Sequence, residues 1–447
     1  MSDINRPARP YVSIQHQPWK AIYMTKTLIS VLFFQLPFYA ITQLLFRSAR
    51  PHPDFTFAQA MVVRIVRFMG LFRRADWYSD RWTVEKLSKY TNAKSESLGR
   101  LLAKAVWVPK LDGALQGEAG QLEKRAGTRS VRTHGWWFAI PSSLDSHGNA
   151  AQWRELFDEE DVEKAAVARI KAAKGEQVLL YFHGGGYLER SAGPKSQTTA
   201  VPRQLLKKIE EHLAQGYEGD AKLLPRKAFS LEYRLSDKTS FSGILADAVS
   251  SWRYLVEDCE YEPENIYVGG DSAGGHLSLA LTRYIRDVRP FGKSGMPRGL
   301  MLYSPWVDAS LSYGTKPNAS HHLNAPYDIL SLMGLATASS ELLRGVAAGD
   351  EKSLYISSLH LGRESPVHDY KGFPPLIVMG GSLEKFIDEI RDLAKAYKKD
   401  VQADQTLVHS FEDKKASHDP YNIPICYAEV QKVGMDRNLK WLLKLNT

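Results

Sequence analysis

The sequence predicts an α/β fold, with a mostly parallel, doubly wound sheet behind a membrane-anchoring N-terminal segment. Three observations predict it. From about residue 176 short apolar runs alternate with helix-period segments. Two of those runs end directly in glycine-rich turns. A charge-free apolar span lies close to the N-terminus.

The anchor comes first in the chain. Thr27 to Phe46 carries no charge and is bounded by Lys26 and Arg47. At about 1.5 Å per residue its twenty positions reach ~30 Å, one hydrocarbon thickness. It exceeds the apolar core of a cleavable signal peptide, and no small-residue cleavage site follows it. Gln35, Pro37 and Gln43 weaken the span, and Pro37 is expected to kink it or turn it back into one leaflet. Phe57 to Arg74 then reads as an amphipathic interfacial helix whose Arg64 and Arg67 reach for head groups. The competing expectation is that both segments are buried helices packed on the body.

Charge supports the anchor. The chain has a net charge of +8. Ten basic residues against Asp3 and Asp54 lie before residue 75, so 75–447 is balanced. A nucleic-acid binder carries its basic face on the folded domain. A basic segment beside an apolar span suits anionic lipid instead, so membrane lipid is the expected partner and nucleic acid is not. The chain therefore divides into 1–75, holding the anchor helix (about 27–46) and the amphipathic helix, and 76–447, the α/β body.

Residues 75–150 look irregular, with a surface loop from Leu111 to Gly127 and an aromatic strand from His134 to Ile140. Strands are then expected at 177–182, 227–233, 265–270, 299–304, 375–381 and 405–411. Helices are expected at 201–214, 243–257, 273–288, 384–399 and 425–445. No internal repeat is visible. Cys259 and Cys426 fit neither a disulfide framework nor a zinc site and read as plain thiols. No metal or cofactor is called for.

The chemistry lies in the turns. Gly270-Asp271-Ser272-Ala273-Gly274 has the form G-x-S-x-G, follows a strand and opens a helix. That context defines a nucleophile elbow, with Ser272 raised from the sheet edge and Ala273 offering an amide at a helix N-terminus. His183-Gly184-Gly185-Gly186-Tyr187 follows strand 177–182. Its glycines let backbone amides approach a ligand, so Gly184 and Gly185 are expected to join Ala273 in an oxyanion hole. A phosphate loop is excluded, since G-x-G-x-x-G and a Walker lysine are both missing. His183 reads as a brace for the loop.

Acid and base should follow in the order serine, acid, histidine. Glu384 lies just past the strand 375–381, with Asp388 one helical turn further as its rival. His418 lies in a loop after strand 405–411, whereas His409 lies within that strand. A neutral His418 is required, so activity is expected to fall below about pH 6.5.

These motifs, with Ser230-Leu231-Glu232-Tyr233-Arg234-Leu235 and Ser304-Pro305-Trp306, resemble the hormone-sensitive-lipase-like branch of the α/β-hydrolases. The anchor and the segment from Gly380 to Glu389 resemble the fungal steryl acetyl hydrolases and, more distantly, the arylacetamide deacetylases. The resemblance covers about residues 176–425. It implies a triad of Ser272, Glu384 and His418, with glutamate replacing the family's usual aspartate. It implies a cap built from 57–110 and from 308–350, a small apolar ester such as a sterol acetate as substrate, and the endoplasmic reticulum membrane as location, held by a single pass. A secondary-metabolite hydrolase, an acyltransferase and a non-catalytic small-molecule receptor share the fold; receptors of that kind lose the catalytic histidine, which is kept here. Asn318-Ala319-Ser320 is a glycosylation sequon, and Asp247 and Asp308 read as structural acids. Oligomeric state is not legible.

Overall fold

The computed structural model describes residues 13–73, 101–140, 171–292, 295–362, 369–401 and 408–446. The expected boundary at residue 75, the irregular stretches 75–100 and 141–150, and the first residues of the strand at 405–411 lie outside them.

Eight strands form one sheet: β1 (Leu102–Val108), β2 (Thr133–Ala139), β3 (Val178–Phe182), β4 (Lys227–Glu232), β5 (Ile266–Asp271), β6 (Gly299–Tyr303), β7 (Leu376–Gly381) and β8 (Val408–Asp413). Their order is β1-β2-β4-β3-β5-β6-β7-β8. β2 runs antiparallel to β1 and β4, and all other neighbours are parallel. β3 shows why. Its five residues are all buried, so the strand needs helices on both faces. Leu180 and Phe182 pack with the helices Phe241–Arg253 and Ala273–Val288. Leu179 and Tyr181 pack on the other face with Leu205 and Leu206 of helix Ala200–Ala214 and Trp441 of helix Pro424–Leu445. Each such side chain contributes about 1.5–3 kcal/mol relative to exposure.

Register levels the strand ends. Phe182 pairs with Gly270, Asp271 with Tyr303, Tyr303 with Met379 and Gly381 with Asp413. The loops beyond β3, β5, β6, β7 and β8 therefore meet at one carboxyl edge.

Two expectations for 75–150 are corrected. Residues 102–108 form the edge strand β1, not cap; buried Lys104 had broken the apolar pattern. Within the expected loop, Gly117–Ala126 is a helix ended by Gly127 in the left-handed region. Its charged residues hide a short buried face of Ala119 and Leu122, and Glu123 accepts a 2.6 Å bond from the Leu115 amide.

Trp19–Leu45 is one 27-residue apolar helix. Pro37 does not break it, because the wide turns at Ser30–Gln35 just before the proline absorb its missing N–H and ring clash. The helix packs on Phe57–Arg73 through a 6.1 Å contact of Tyr39 with Phe68 and a 3.0 Å bond from the Tyr23 hydroxyl to the Leu71 carbonyl. Phe57–Arg73 in turn docks on the body. Ala60 and Val63 pack with Tyr327, Ile329 and Leu383, and Val62 packs with Ala416, Ile423 and Tyr427. Arg64 and Arg67 do not reach outward as expected. Arg64 lies 4.4 Å over the Tyr39 ring, and Arg67 donates to the backbone carbonyls of Ala325 and Asp328.

Part of the insertion at 308–350 lies against the glycine loop after β3. Helix Leu332–Leu343 buries Leu335, Ala338 and Leu342, and a Cβ built at Gly186 would lie 3.2 Å from that of Ala338. Asp308 accepts from the Ser310 and Ser312 hydroxyls, and Asp247 pairs with Arg234 at 2.9 Å. Both are structural acids, as expected.

Candidate active site

Ser272 sits between β5 and helix Ala273–Val288 with φ 52° and ψ −115°. A side chain other than glycine's is strained there, and the surroundings hold it. The Ser272 amide donates to the Tyr303 carbonyl, and the Ser272 carbonyl accepts from the Trp306 amide, both at 2.9 Å. The small neighbours are required. A Cβ at Gly270 would collide with the Gly274 backbone, and one at Gly274 with the Phe182 carbonyl.

The loops after β7 and β8 bring two partners. His418 Nε2 lies 2.9 Å from Ser272 Oγ. His418 Nδ1 lies 3.6 Å from Glu384 Oε2, an ion-pair distance slightly beyond a hydrogen bond. Such contacts are often long in a resting site and tighten with substrate. The Glu384 carboxylate is fully buried. Burial pushes its pKa up, against the pull of His418 and the Ser304 hydroxyl. For His418, burial disfavours the imidazolium, but the Glu384 hydrogen bond and the charges of Glu384, Asp328 and Asp419 outweigh it and raise its pKa.

Asp388 is elsewhere. Its carboxylate accepts from the Ser320 amide at 2.8 Å and pairs with Arg391 at 3.4 Å. Its role is to tie the turn at Ser320 to helix Ile387–Asp400. His409 is half-buried within β8. His183 stacks on Tyr233 at 4.3 Å and bonds the Gly184 carbonyl at 2.7 Å, the brace expected of it.

The glycine loop needs one correction. The Gly184 amide is directed at the Asp271 carboxyl, and a Cβ at Gly184 would strike Asp271 Oδ2. Gly184 is thus a packing glycine under the elbow. Gly185 and Gly186 take φ 114° and 61°, conformations suited to glycine. Tyr187 donates a 2.7 Å bond to the Ala273 carbonyl, which fixes this loop against helix Ala273–Val288.

Sequence reasoning missed two polar residues. Ser304, at the end of β6 with φ 44°, accepts a 3.0 Å bond from the Asp419 amide and reaches Glu384. Its signal was the Ser-Pro-Trp after a strand. Asp328 is fully buried and accepts from the amides of His418 (3.1 Å) and Lys385 (2.6 Å). No motif marks it. Asp271 and Asp419 are neighbouring buried carboxyls beside the site; burial pushes both up, and the charge of Asp419 pushes Asp271 further. Cys259 is buried and Cys426 half-buried, both as free thiols.

A sequence model of the α/β-hydrolase fold family matches residues 179–419. The chain belongs to the α/β-hydrolase family. Its hormone-sensitive-lipase-like character, expected from the two glycine motifs, is borne out. A Streptomyces hygroscopicus protein named acetyl-hydrolase is 31% identical over 227 residues, 50% of this chain and 63% of the relative. A Schizosaccharomyces pombe protein provisionally named steryl acetyl hydrolase mug81 is 29% identical over 157 residues, 32% of this chain and 39% of its own. The chain thus spans less than two thirds of these relatives. Among solved structures, an esterase of the bacterial hormone-sensitive lipase family superposes with TM-score 0.51 at 19% identity, over 87% of this chain and 97% of that one. The esterase of Pyrobaculum calidifontis superposes with TM-score 0.55 at 16% identity, over 86% and 97%. These structures share the fold.

Proposed function

We propose that this α/β-hydrolase is a membrane-associated serine esterase that removes short acyl groups, acetyl foremost, from an apolar alcohol such as a sterol. One observation carries the reading: a buried Ser272–His418–Glu384 line at a strained elbow. In the first half-reaction His418 Nε2 takes the proton of Ser272 Oγ as that oxygen attacks the ester carbonyl. The Gly185, Gly186 and Ala273 amides hold the oxyanion. His418 then gives the proton to the departing alcohol, leaving an acyl-serine. Water, deprotonated by His418, attacks that ester, and Ser272 leaves with its proton restored. Glu384 faces Nδ1–H as the acceptor that orients the ring, keeps its own charge and stabilises the imidazolium. Each step uses side chains and amides of this chain.

The acetyl preference is supported by the relatives named acetyl-hydrolase and steryl acetyl hydrolase. Membrane association is supported by the helix Trp19–Leu45, whose Phe33, Phe34, Phe38, Ile41, Leu44 and Leu45 are all more than half exposed. At ~1.5 Å per residue it is long enough to cross a bilayer. The family resemblance points to the endoplasmic reticulum as that bilayer, entered by a single pass.

The test is an ester panel with the detergent-solubilised full chain. p-Nitrophenyl acetate should be turned over much faster than the decanoate, and cholesteryl acetate in vesicles should be cleaved. Preference for the decanoate would refute the short-acyl reading. Wild type and Ser272→Ala equally inert on every ester would refute the hydrolase reading and favour a receptor on this fold.

A further inference from the structure

Arg67 carries a polar contact of the N-terminal helix Phe57–Arg73 with the body. Arg67 Nε donates to the Asp328 carbonyl at 3.0 Å, its Nη2 to the same oxygen at 2.5 Å, and to the Ala325 carbonyl. The Asp328 side chain points the other way, into the site. Its Oδ1 accepts from the His418 amide at 3.1 Å and the Leu330 amide at 3.2 Å. Its Oδ2 accepts from the Lys385 amide at 2.6 Å, the residue after Glu384. One buried carboxylate thus holds the backbone of the base loop and the backbone of the acid loop at once. Asn324, on the same turn, adds a 2.8 Å bond to the Glu384 carbonyl. Apolar contacts follow the same path: Leu383 packs under Ala60 and Val63, and Ala416 packs under Val62.

We infer that Asp328 is a positioning residue for the reaction, setting His418 against Glu384, and that Arg67 makes the N-terminal helix part of the active site. The inference rests on the hydrolase reading above. His418 and Glu384 come from separate loops after β7 and β8, and their side chains stand 3.6 Å apart. A shift of an ångström between the loops would break that line. A carboxylate accepting from both loops resists the shift, since bonds to ionised acceptors are the strong ones. Its charge also faces His418 and favours the imidazolium, together with Glu384 and Asp419. Asparagine at 328 keeps the shape, loses the charge and offers one acceptor oxygen where two are used.

The experiment compares wild type, Asp328→Asn and Arg67→Met as full chains in detergent on p-nitrophenyl acetate. kcat, KM, the pH profile of kcat/KM and Tm are measured for each. For Asp328→Asn the expected result is a kcat lowered about tenfold or more, a KM within about twofold, and an acid limb moved to lower pH. The sign follows from the charge: removing an anion near His418 lowers its pKa, so the base stays neutral further into acid. For Arg67→Met a smaller loss of kcat is expected with the limb unmoved. A wild-type kcat and limb in Asp328→Asn overturns the proposal. So does a loss of kcat and Tm together with an unmoved limb, which marks a purely structural role. An unchanged kcat in Arg67→Met overturns the part assigned to the N-terminal helix. If wild type itself is inert, the hydrolase reading fails first, and that outcome is separate from these.

Discussion

His418 Nε2 lies 2.9 Å from Ser272 Oγ across 146 residues of chain. The two meet because β5 and β8 end at the same sheet edge, with β6 and β7 between them in register. Loss of the hydroxyl should therefore remove nearly all turnover. Ser272→Ala is expected to lower kcat by at least ~10^4-fold with little change in Tm. Steady-state assays on p-nitrophenyl acetate with a parallel melting curve check this.

The pH profile should carry the signature of His418. Its pKa is raised above the ordinary histidine value because Glu384, Asp328 and Asp419 outweigh burial. A raised pKa keeps the base protonated to higher pH. The acid limb of kcat/KM is therefore expected above the ~6.5 of an unperturbed imidazole. The folding contribution of this group has the same origin: it is present below the unfolded pKa and lost as pH rises through the folded one. A limb at or below pH 6 would contradict the charge arrangement.

The two candidate acids should separate cleanly. Glu384→Gln leaves the shape but cannot hold the imidazolium, and about 10^3–10^4-fold in kcat should be lost. Asp388→Asn alters the contacts with Ser320 and Arg391, away from Ser272 and His418. Its carboxylate is about a third exposed, so the pair with Arg391 is screened and the cost should stay within about 1 kcal/mol of stability, with kcat nearly unchanged. Equal losses in both variants would count against the assignment.

Glycines at the elbow should differ from glycines elsewhere. Gly274→Ala would drive a methyl into the Phe182 and His183 carbonyls. A loss of more than about 2 kcal/mol is expected, visible as a lower Tm. Nothing lies within 4 Å of a Cβ at Gly113, and Gly113→Ala should stay within about 0.5 kcal/mol. Denaturant melts of the two variants provide the comparison.

Much of this was legible from local pattern. The run at 178–182, the elbow and the helix beginning at Ala273 each join an apolar period to turn chemistry, and the structure follows them closely. The order serine, acid, histidine led to Glu384 and His418 through loop position. What stayed hidden depends on distant partners. β1 pairs with β2 in spite of buried Lys104, and its assignment needs the neighbour strand. Asp328 is one acid in an ordinary turn until the His418 and Lys385 amides close on it. Arg67 looked like a head-group anchor because a helix pattern reports its polar face without saying what lies opposite. Gly184 and Gly186 could not be told apart until Asp271 was seen beneath the first.

The most direct test of the account is to find the acyl group. The full chain is mixed briefly with p-nitrophenyl acetate, quenched in acid, digested and mapped by mass spectrometry. The account predicts an acetyl group on Ser272, formed with a burst of about one p-nitrophenol per chain and missing in Ser272→Ala. Acetylation confined to another residue, or turnover that persists in Ser272→Ala, would contradict it.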